Sequence, residues 1–342
     1  MNRSLLLILV AAVAFAGASS VRAHPVAHRS ATLVDCTCYD LVVAATDRRP
    51  RTIFHNTGQN LYDVSPNRRL MAFSGSLGRL YVSPTNSHAK RLLDRRYSSW
   101  AVFSPDSRRL AYAVDGCGVC IIDVDGDNAH RFAVAGAVGP VAWSADGRSL
   151  AFVVSDNTTG HGEGALMVAN QDGSNARTLA RGSNFAAGTS LGIKLAWAPH
   201  GDHIAYVSGS PPHVHIIRVA DGRDQALGTG TAPVWSPSGR QLAFSRPNRG
   251  IAVVRSDGSG QRQFDLLALD SYGMGVSWSP KGQRIAYARY TKAGRYQLAI
   301  ARADGTHRHV LTTEAQNVEI GPSYWSRDGQ TILYGRYLQQ GE

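Results

Sequence analysis

One short phrase occurs seven times along the chain, and this repetition constrains the fold more than any other feature of the sequence. Each copy places Ser, or Ala once, directly before a turn-forming stretch, at Ser65, Ser104, Ser144, Ala198, Ser236, Ser279 and Ser326. Successive copies of this anchor residue are 39, 40, 54, 38, 43 and 47 residues apart. A period of roughly 40 residues is typical of the four-stranded blades of a β-propeller.

An aromatic residue stands eight positions after every anchor, at Phe73, Tyr112, Phe152, Tyr206, Phe244, Tyr287 and Tyr334. A large aliphatic or Met side chain lies two residues before each aromatic, and Ala lies between them in six copies. Because alternate residues of a strand face opposite sides, one face of this segment is bulky and the other is small, and both are apolar. We therefore expect a strand that is buried on both sides between neighbouring blades.

Two kinds of turn divide each repeat. The Ser-Pro-Asp-Gly type of phrase favours a tight turn, since Pro fixes φ and Gly accepts positive φ. In five copies a later apolar run ends in Asp-Gly, a strong hairpin signal, at 125–126, 172–173, 221–222, 257–258 and 304–305. Each blade is therefore predicted to run as strand a, Ser-Pro-Asp-Gly turn, strand b, variable loop, strand c, Asp-Gly turn and strand d.

The two ends of the repeat array are incomplete in complementary ways. The last copy, from Ser323 to Tyr337, supplies only strands a and b, whereas residues 41–47 and 51–54 have the pattern of strands c and d with no a or b before them. We predict an all-β fold, a seven-bladed β-propeller of four-stranded blades, closed by pairing N-terminal strands with C-terminal strands. Such closure satisfies strand edges that would otherwise be open.

The repeat Trp-Ser-Pro-x-Gly-x-x-Leu-Ala-Phe, followed by an apolar run and Asp-Gly, resembles the propeller repeat of the TolB family, which is also found in prolyl-oligopeptidase-type peptidases. The resemblance extends from about Thr32 to the C-terminus. It implies an exported TolB-like propeller that binds proteins in the periplasm or outside the cell. It also implies a protein lacking the N-terminal TolB domain, with seven repeats where that family has six.

The N-terminus has the pattern of a secretory signal peptide. Arg3 precedes an apolar stretch from Leu5 to Ala16, and small residues lead to a cleavage site after Ala23. We therefore expect a signal peptide at 1–23, an N-terminal arm at 24–38 and a single propeller domain at 39–342. Since the apolar stretch is shorter than the roughly 20 residues of a membrane span, no membrane span is predicted. We expect the protein to be secreted or periplasmic, and monomeric.

The composition narrows the class of partner. The net charge is +11, but the basic residues are spread over many turns, and no basic run has interleaved aromatic residues. This pattern argues against a nucleic-acid partner. A positively charged surface instead favours acidic proteins or anionic envelope material, so a protein or a cell-envelope polymer is expected to bind.

The tight a–b and c–d turns must share one face of the disc, which we call the hairpin face, and the variable b–c and d–a loops share the other, the loop face. Loops on a rigid scaffold often carry binding residues, and aromatic and Met side chains are enriched at interface cores. We predict a partner-binding patch in the d–a loops, formed by Tyr97, Trp100, Asn184, Phe185, Tyr272, Met274, Gln316, Asn317 and Glu319. The alternative is that these side chains cap blade edges.

Four cysteines, Cys36, Cys38, Cys117 and Cys120, are disulfide candidates, since an exported chain favours disulfides over free thiols. Both pairs precede a strand c, in blades that are not neighbours. A local Cys117–Cys120 bridge is therefore favoured, with Cys36 and Cys38 joined or otherwise paired. The same distance between the two cysteine pairs argues against a zinc site that uses all four thiolates. No metal or cofactor is predicted.

One catalytic pattern occurs, because Gly188–Gly192 fits Gly-x-Ser-x-Gly. That pattern marks a nucleophile only at a strand-to-helix turn of an α/β-hydrolase sheet, whereas this stretch joins two propeller strands, so no catalytic residue is assigned. The leading hypothesis is a non-catalytic binding scaffold. The alternative is a propeller enzyme of hydrolase or lyase type, or a small-ligand binder, that uses the central channel.

Overall fold

The computed structural model describes residues 39–45, 48–56, 60–75, 78–87, 89–114, 118–134, 136–155, 163–183, 195–246, 249–265, 276–316 and 318–338. These ranges contain 27 β-strands. No helix in them is long and apolar enough to cross a membrane. The predicted signal peptide at 1–23 and arm at 24–38 lie outside the described residues and remain predictions.

The strands form seven four-stranded antiparallel blades in a ring. Blade 7 combines β1 (Tyr39–Ala45) and β2 (Arg48–Asn56) with β26 (Val318–Trp325) and β27 (Thr331–Leu338). Blades 1 and 2 contain β3 (Asn60–Val64), β4 (Leu70–Ser74), β5 (Arg79–Pro84), β6 (Arg91–Phe103), β7 (Arg109–Val114), β8 (Gly118–Asp123) and β9 (His130–Phe132). Blade 3 contains β10 (Ala137–Trp143), β11 (Ser149–Ser155), β12 (Glu163–Asn170) and β13 (Arg177–Ser183).

The remaining blades follow the same order. Blade 4 contains β14 (Ala196–Trp197), β15 (His203–Ser208), β16 (His213–Arg218) and β17 (Asp224–Thr229). Blade 5 contains β18 (Thr231–Trp235), β19 (Gln241–Arg246), β20 (Gly250–Arg255) and β21 (Arg262–Phe264). Blade 6 contains β22 (Ser277–Trp278), β23 (Arg284–Tyr290), β24 (Tyr296–Arg302) and β25 (His309–Thr313). The predicted seven-bladed all-β propeller is confirmed.

Ring closure is confirmed in the predicted form. The order of strands in blade 7 is β2-β1-β27-β26, so two N-terminal strands complete a sheet begun by two C-terminal strands. The register of β1 with β27 is regular from Tyr39 opposite Tyr337 to Ala45 opposite Thr331. Both N-terminal strands are therefore paired within a complete four-stranded blade.

Strand β6 differs from the sequence expectation. It runs without a break from the outer edge of blade 1 to the inner edge of blade 2, so that Tyr97 pairs with Arg79 of β5 and Trp100 pairs with Ala113 of β7. The placement of Tyr97 and Trp100 in a d–a loop is therefore wrong. Both pairings contain register shifts, and the backbone passes from one blade to the next within a single strand.

Strand b of each blade is buried on both faces, as its alternation predicts. Phe152 and Phe244 are fully buried, and so are Ala151 and Ala243 beside them on the opposite face. Each hydrophobic cluster combines residues of adjacent blades, for example Ala205 of blade 4 with Phe244 of blade 5. The core therefore lies mainly between blades, where small and bulky faces meet at close-packed density.

Tryptophans on strand a connect neighbouring blades by hydrogen bonds. The indole Nε1 of Trp235 donates to the carbonyl oxygen of Ala196 at 3.0 Å, and that of Trp278 donates to Val234 at 3.1 Å. Trp143 and Trp325 make the same bond to the preceding blade. These bonds satisfy a buried donor and hold the tryptophans at the inner ring.

In blades 2, 6 and 7 a second connection joins the tyrosine of strand b to an acid at the end of the preceding blade. The hydroxyl of Tyr287 donates to Asp265 at 2.8 Å, and that of Tyr334 donates to Glu314 at 2.7 Å. Tyr112 bonds Asp94 in the same way. Burial, followed by this hydrogen bond, raises the pKa of the Tyr287 hydroxyl far above its ordinary value, so it stays protonated and remains a donor.

Candidate binding site

A cavity of about 400 Å³ opens among the inner strands of blades 4 to 7 and their a–b turns. We call it the axial pocket. Its aromatic walls are Trp197, Trp235, Trp278, Trp325 and Tyr324, and the one cation among its described lining residues is Arg68 of the adjacent blade 1. The a–b turns place this pocket on the hairpin face.

The four tryptophans are held differently. Trp235, Trp278 and Trp325 are buried, and their indole N–H groups are already bonded to neighbouring backbone. Trp197 is half-buried, and its indole donates no hydrogen bond to any described residue. Trp197 is therefore the wall whose polar edge can serve a bound molecule.

Arg68 occupies a backbone position that the repeat usually gives to glycine. Its φ is +61°, and the equivalent residues Gly147, Gly201, Gly239, Gly282 and Gly329 have φ between +66° and +83°. A side chain in this left-handed conformation costs about 1–2 kcal/mol. Blade 2 has Ser107 there, whose hydroxyl accepts a bond from the Asn67 backbone N–H at 3.1 Å, whereas no hydrogen bond from the Arg68 side chain is present among the described residues.

The charge of Arg68 is retained inside the pocket. Burial lowers the pKa of Arg68, and the nearby carboxylate of Asp63 opposes that effect. Asp63 is itself fixed by backbone N–H donors, at 2.8 Å from Val64 and 2.9 Å from Phe103. The guanidinium carbon of Arg68 lies 5.8 Å from the centre of the Tyr324 ring, within the range of a cation–π contact.

Aromatic walls and a half-buried cation define what the axial pocket can hold. Tyr324 donates its hydroxyl to the carbonyl oxygen of Tyr62 at 3.4 Å, and burial raises the pKa of that hydroxyl well above its ordinary value. Tyr324 is thus a neutral wall rather than a second charge. The pocket suits an apolar group that carries a carboxylate or carbonyl oxygen toward Arg68.

The residues of the predicted loop-face patch are only partly visible. Asn184, Phe185, Tyr272, Met274 and Asn317 lie outside the described residues. Gln316 is exposed just before β26, and Glu319 lies on β26, where its carboxylate accepts a hydrogen bond from the Tyr296 hydroxyl at 3.1 Å. Glu319 therefore takes part in a contact between blades 6 and 7, and the patch as a whole remains a prediction.

The cysteine and metal predictions remain open in a similar way. Cys120 is buried on β8, while Cys36, Cys38 and Cys117 lie outside the described residues, as does Gly188–Gly192. Within the ranges that the structure describes, no group of three or more His, Cys, Asp or Glu side chains is arranged to hold a metal ion.

Comparison with known proteins identifies proteins that are similar to this chain. No family model matches it. The Tol-Pal system protein TolB of Gluconobacter oxydans is 29% identical over 215 residues, which are 48% of this chain and 46% of that protein. The solved structure of a putative TolB from Agrobacterium tumefaciens superposes with a TM-score of 0.53 and 17% identity, covering 89% of this chain and 99% of that one. The chain is a TolB-like propeller protein.

This TolB-like propeller spans about half the length of the curated relative it matches. A solved oligogalacturonate lyase in complex with manganese also superposes, with a TM-score of 0.59 and 13% identity over 83% of this chain and 90% of the lyase. At that identity the likeness concerns the fold alone. The TolB-like fold supports a binding scaffold in general, and the choice of ligand depends on the residues described above.

Arg68 was not among the predicted site residues, although the sequence contains a signal that distinguishes it from the other repeats. Five of the seven copies have Gly three residues after the anchor, and blade 1 has Arg68. The copy-to-copy difference at a position that needs positive φ would have identified it. Attention to variable loops alone missed a substitution inside a regular turn.

Proposed function

We propose that this TolB-like propeller is an exported binding scaffold that docks a protein partner at the axial pocket. The observation that carries the proposal is Arg68, a half-buried cation in a left-handed conformation beside aromatic walls. The turn would form more easily with glycine. An arginine at this position is explained by a bound group that needs its charge.

The composition of the pocket supports a protein partner. Trp, Tyr and Arg are the residue types that dominate interface hot spots, because they combine large apolar area with a polar tip. A partner side chain or chain terminus that is apolar beside a carboxylate would fill the pocket and pair with Arg68. The curated relative is named as a member of the Tol-Pal system, which supports a partner in the cell envelope, and the predicted signal peptide supports export.

Photo-cross-linking in the producing cells tests this placement of the site. A benzophenone amino acid at position 197 reports on the axial pocket, and one at position 316 reports on the predicted loop-face patch. We expect one partner protein to be captured from position 197. Capture from position 316 alone would instead assign docking to the loop face and contradict the axial pocket.

The variant Arg68→Gly separates binding from folding. Since Gly restores the residue usual in this turn, we expect an unchanged or higher melting temperature, together with loss of the cross-link at position 197. Arg69→Ala removes the neighbouring exposed cation of the same turn and should leave the cross-link intact. An Arg68→Gly protein that is still captured at wild-type level would show that the cation is not used.

A small-ligand binder is the second candidate, because a volume of about 400 Å³ lies within the roughly 300–1,000 Å³ of small-molecule sites. Native mass spectrometry of protein purified from the producing cells distinguishes the two. A bound small molecule that is absent from Arg68→Gly would favour this candidate. If the pocket binds a protein instead, the same measurement should detect no bound small molecule.

A further inference from the structure

A second cavity, of about 1130 Å³, lies on the hairpin face between blades 5, 6 and 7. We call it the lateral groove. Its charged lining consists of the cations Arg262, Lys281, Arg284, Arg302 and Arg327, the imidazole of His307, and the acids Asp304 and Asp328. Five cations against two acids make the groove strongly basic.

The two acids are committed to their own turns. The Asp304 carboxylate accepts bonds from the Thr306 backbone N–H at 2.9 Å and from its hydroxyl at 2.6 Å. Asp328 accepts from the Ser326 hydroxyl at 2.6 Å and the Gln330 N–H at 3.0 Å. These hydrogen bonds lower the pKa of both carboxyl groups, so both are ionised. Their oxygens already accept hydrogen bonds from residues of the same turns.

Most of the cations, by contrast, are available. The Arg284 guanidinium is held by the Gly329 carbonyl oxygen at 2.6 Å and lies 4.9 Å from the Trp325 ring. The side chains of the other four are exposed and form no ion pair or hydrogen bond with any described residue, namely Arg262, Lys281, Arg302 and Arg327. The groove therefore has one fixed cation and four that can engage a ligand.

Lys281 departs from the repeat at a position where other blades stabilise the turn. In blades 1, 2, 3, 5 and 7 the equivalent side chain bonds the hydroxyl of the anchor serine, as Asp146 does with Ser144 at 2.6 Å. Lys281 has no acceptor for Ser279. The a–b turn of blade 6 thus lacks this hydrogen bond, and the side chain at the same position is a cation that lines the groove.

Two further departures face the same cavity. His307 has a φ of +52° at the position held by Asn128, Asn175 and Gly260 in other c–d turns, and Gly, followed by Asn, is the usual occupant of that conformation. Arg327 stands where five other blades have proline. Because the other blades show which residues the turns prefer, three departures that converge on one cavity indicate a role for the cavity.

We propose that the lateral groove binds an anionic polysaccharide, a glycan chain bearing carboxylate or phosphate groups. Arginine forks match both groups. The neutral lining includes Gln241, Gln283, Gln330 and Ser279, whose amides and hydroxyl can donate to and accept from sugar hydroxyls. None of the described lining residues is Phe, Tyr or Trp, whereas the core of a protein interface is usually rich in those side chains, so a glycan fits better than an acidic peptide.

Fluorescence titration of the purified protein tests the proposal with four probes: an oligogalacturonate, an oligomeric glycerol phosphate, poly-glutamate and neutral dextran. We expect binding of at least one of the first two, weakened by added salt because exposed charges are screened. The stronger of the two identifies the source of the negative charge as carboxylate or phosphate. Poly-glutamate binding as tight as the better of them would assign the groove to acidic peptides and overturn the proposal.

The variant Lys281→Asp/His307→Asn/Arg327→Pro introduces residues that other blades use at these turns. We expect its affinity for the bound glycan to fall at least about tenfold, or about 1.4 kcal/mol, with no loss of melting temperature. Arg148→Asp, in the a–b turn of blade 3, changes the charge as Lys281→Asp does but lies outside the groove. We expect it to weaken binding by less than about twofold, since the site is distant and salt-screened.

Equal weakening by Arg148→Asp and Lys281→Asp would show a general effect of charge and overturn the groove. Failure of all anionic glycans to bind would do the same. Neither result affects docking at the axial pocket, because the cross-link at position 197 is measured separately and Arg68 does not line the groove.

Discussion

The junction between blades 2 and 3 and the junction between blades 5 and 6 are built on the same plan with different chemistry. In the first, Phe132 packs against Phe152 with ring centres 5.8 Å apart, and Ala133 follows. In the second, Phe264 packs against Tyr287 at 6.0 Å, and Asp265 follows and accepts the tyrosine hydroxyl bond. The added hydroxyl and the added carboxylate occur together.

Paired changes of this kind preserve the scaffold, because each new polar group finds its partner. The changes at Arg68, Lys281, His307 and Arg327 are different, since the three cations form no side-chain hydrogen bond or ion pair with any described residue and His307 bonds only the adjacent Thr306 hydroxyl. All four line a cavity on the hairpin face. Comparison of the blades thus separates residues that maintain packing from residues that are available for a ligand.

The largest expected effect tests whether the two junctions are equivalent in packing. Phe152→Ala and Tyr287→Ala each remove a fully buried aromatic ring and should each lower the free energy of unfolding by about 3–5 kcal/mol. Chemical denaturation of both variants measures this. A loss confined to one of them would mean that the blades do not share one packing plan.

A smaller effect tests the paired hydroxyl and carboxylate. Tyr287→Phe keeps the ring but removes the donor to Asp265, whose side chain is 2% exposed, and should cost about 1–3 kcal/mol. Tyr290→Phe, at an exposed tyrosine of the same strand, should change stability by less than about 0.5 kcal/mol.

The same comparison can be reversed in the other junction. Phe152→Tyr should destabilise the protein, because it buries a hydroxyl that has no partner, whereas Ala133→Asp alone should change stability little, since Ala133 is exposed. The double variant should lose less than the sum of the two, as the new groups bond each other. Simple additivity in that double-mutant cycle would refute the pairing.

The smallest effect concerns the turn of blade 6. Lys281→Asp should stabilise the protein by about 0.5–1 kcal/mol, since the new carboxylate can accept the Ser279 hydroxyl. The equivalent bond lowers the pKa of Asp146. A carboxyl group with a lowered folded-state pKa stabilises above its unfolded pKa of about 3.9, so the gain should be present at neutral pH and disappear as the pH falls below that value. Lys281→Ala, which supplies no acceptor, should show no gain at either pH.

Much of the scaffold followed from the sequence because the repeat reports the same alternation seven times. The strand order, the buried strand b and the composite blade 7 were all predicted and confirmed. Tyr97 and Trp100 were misplaced, because no Gly, Pro or Asn interrupts residues 91–103 and the strand continues where a loop was expected. Local turn signals predict hairpins well, whereas a strand shared between two blades leaves no such signal.

The candidate sites were less predictable. Aromatic residues in variable loops are an obvious place to look, but the two cavities are lined by regular turns and inner strands. Trp235 and Trp278 read as packing residues in the sequence, and only their convergence with Arg68 in three dimensions makes a pocket. The lateral groove likewise joins turns that are more than 20 residues apart along the chain, such as those of Lys281 and His307.

The closure of blade 7 has a consequence for how the molecule is made. Strand β27 lies between β26, its neighbour in the chain, and β1, the first strand of the propeller. During synthesis β1 cannot pair with β27 until nearly the whole chain has emerged. Until then β1 and β2 present an open strand edge that can pair with other chains. A circularly permuted chain starting at Asn60, with Leu338 linked to Tyr39, would make every blade from contiguous strands and should fold with less aggregation.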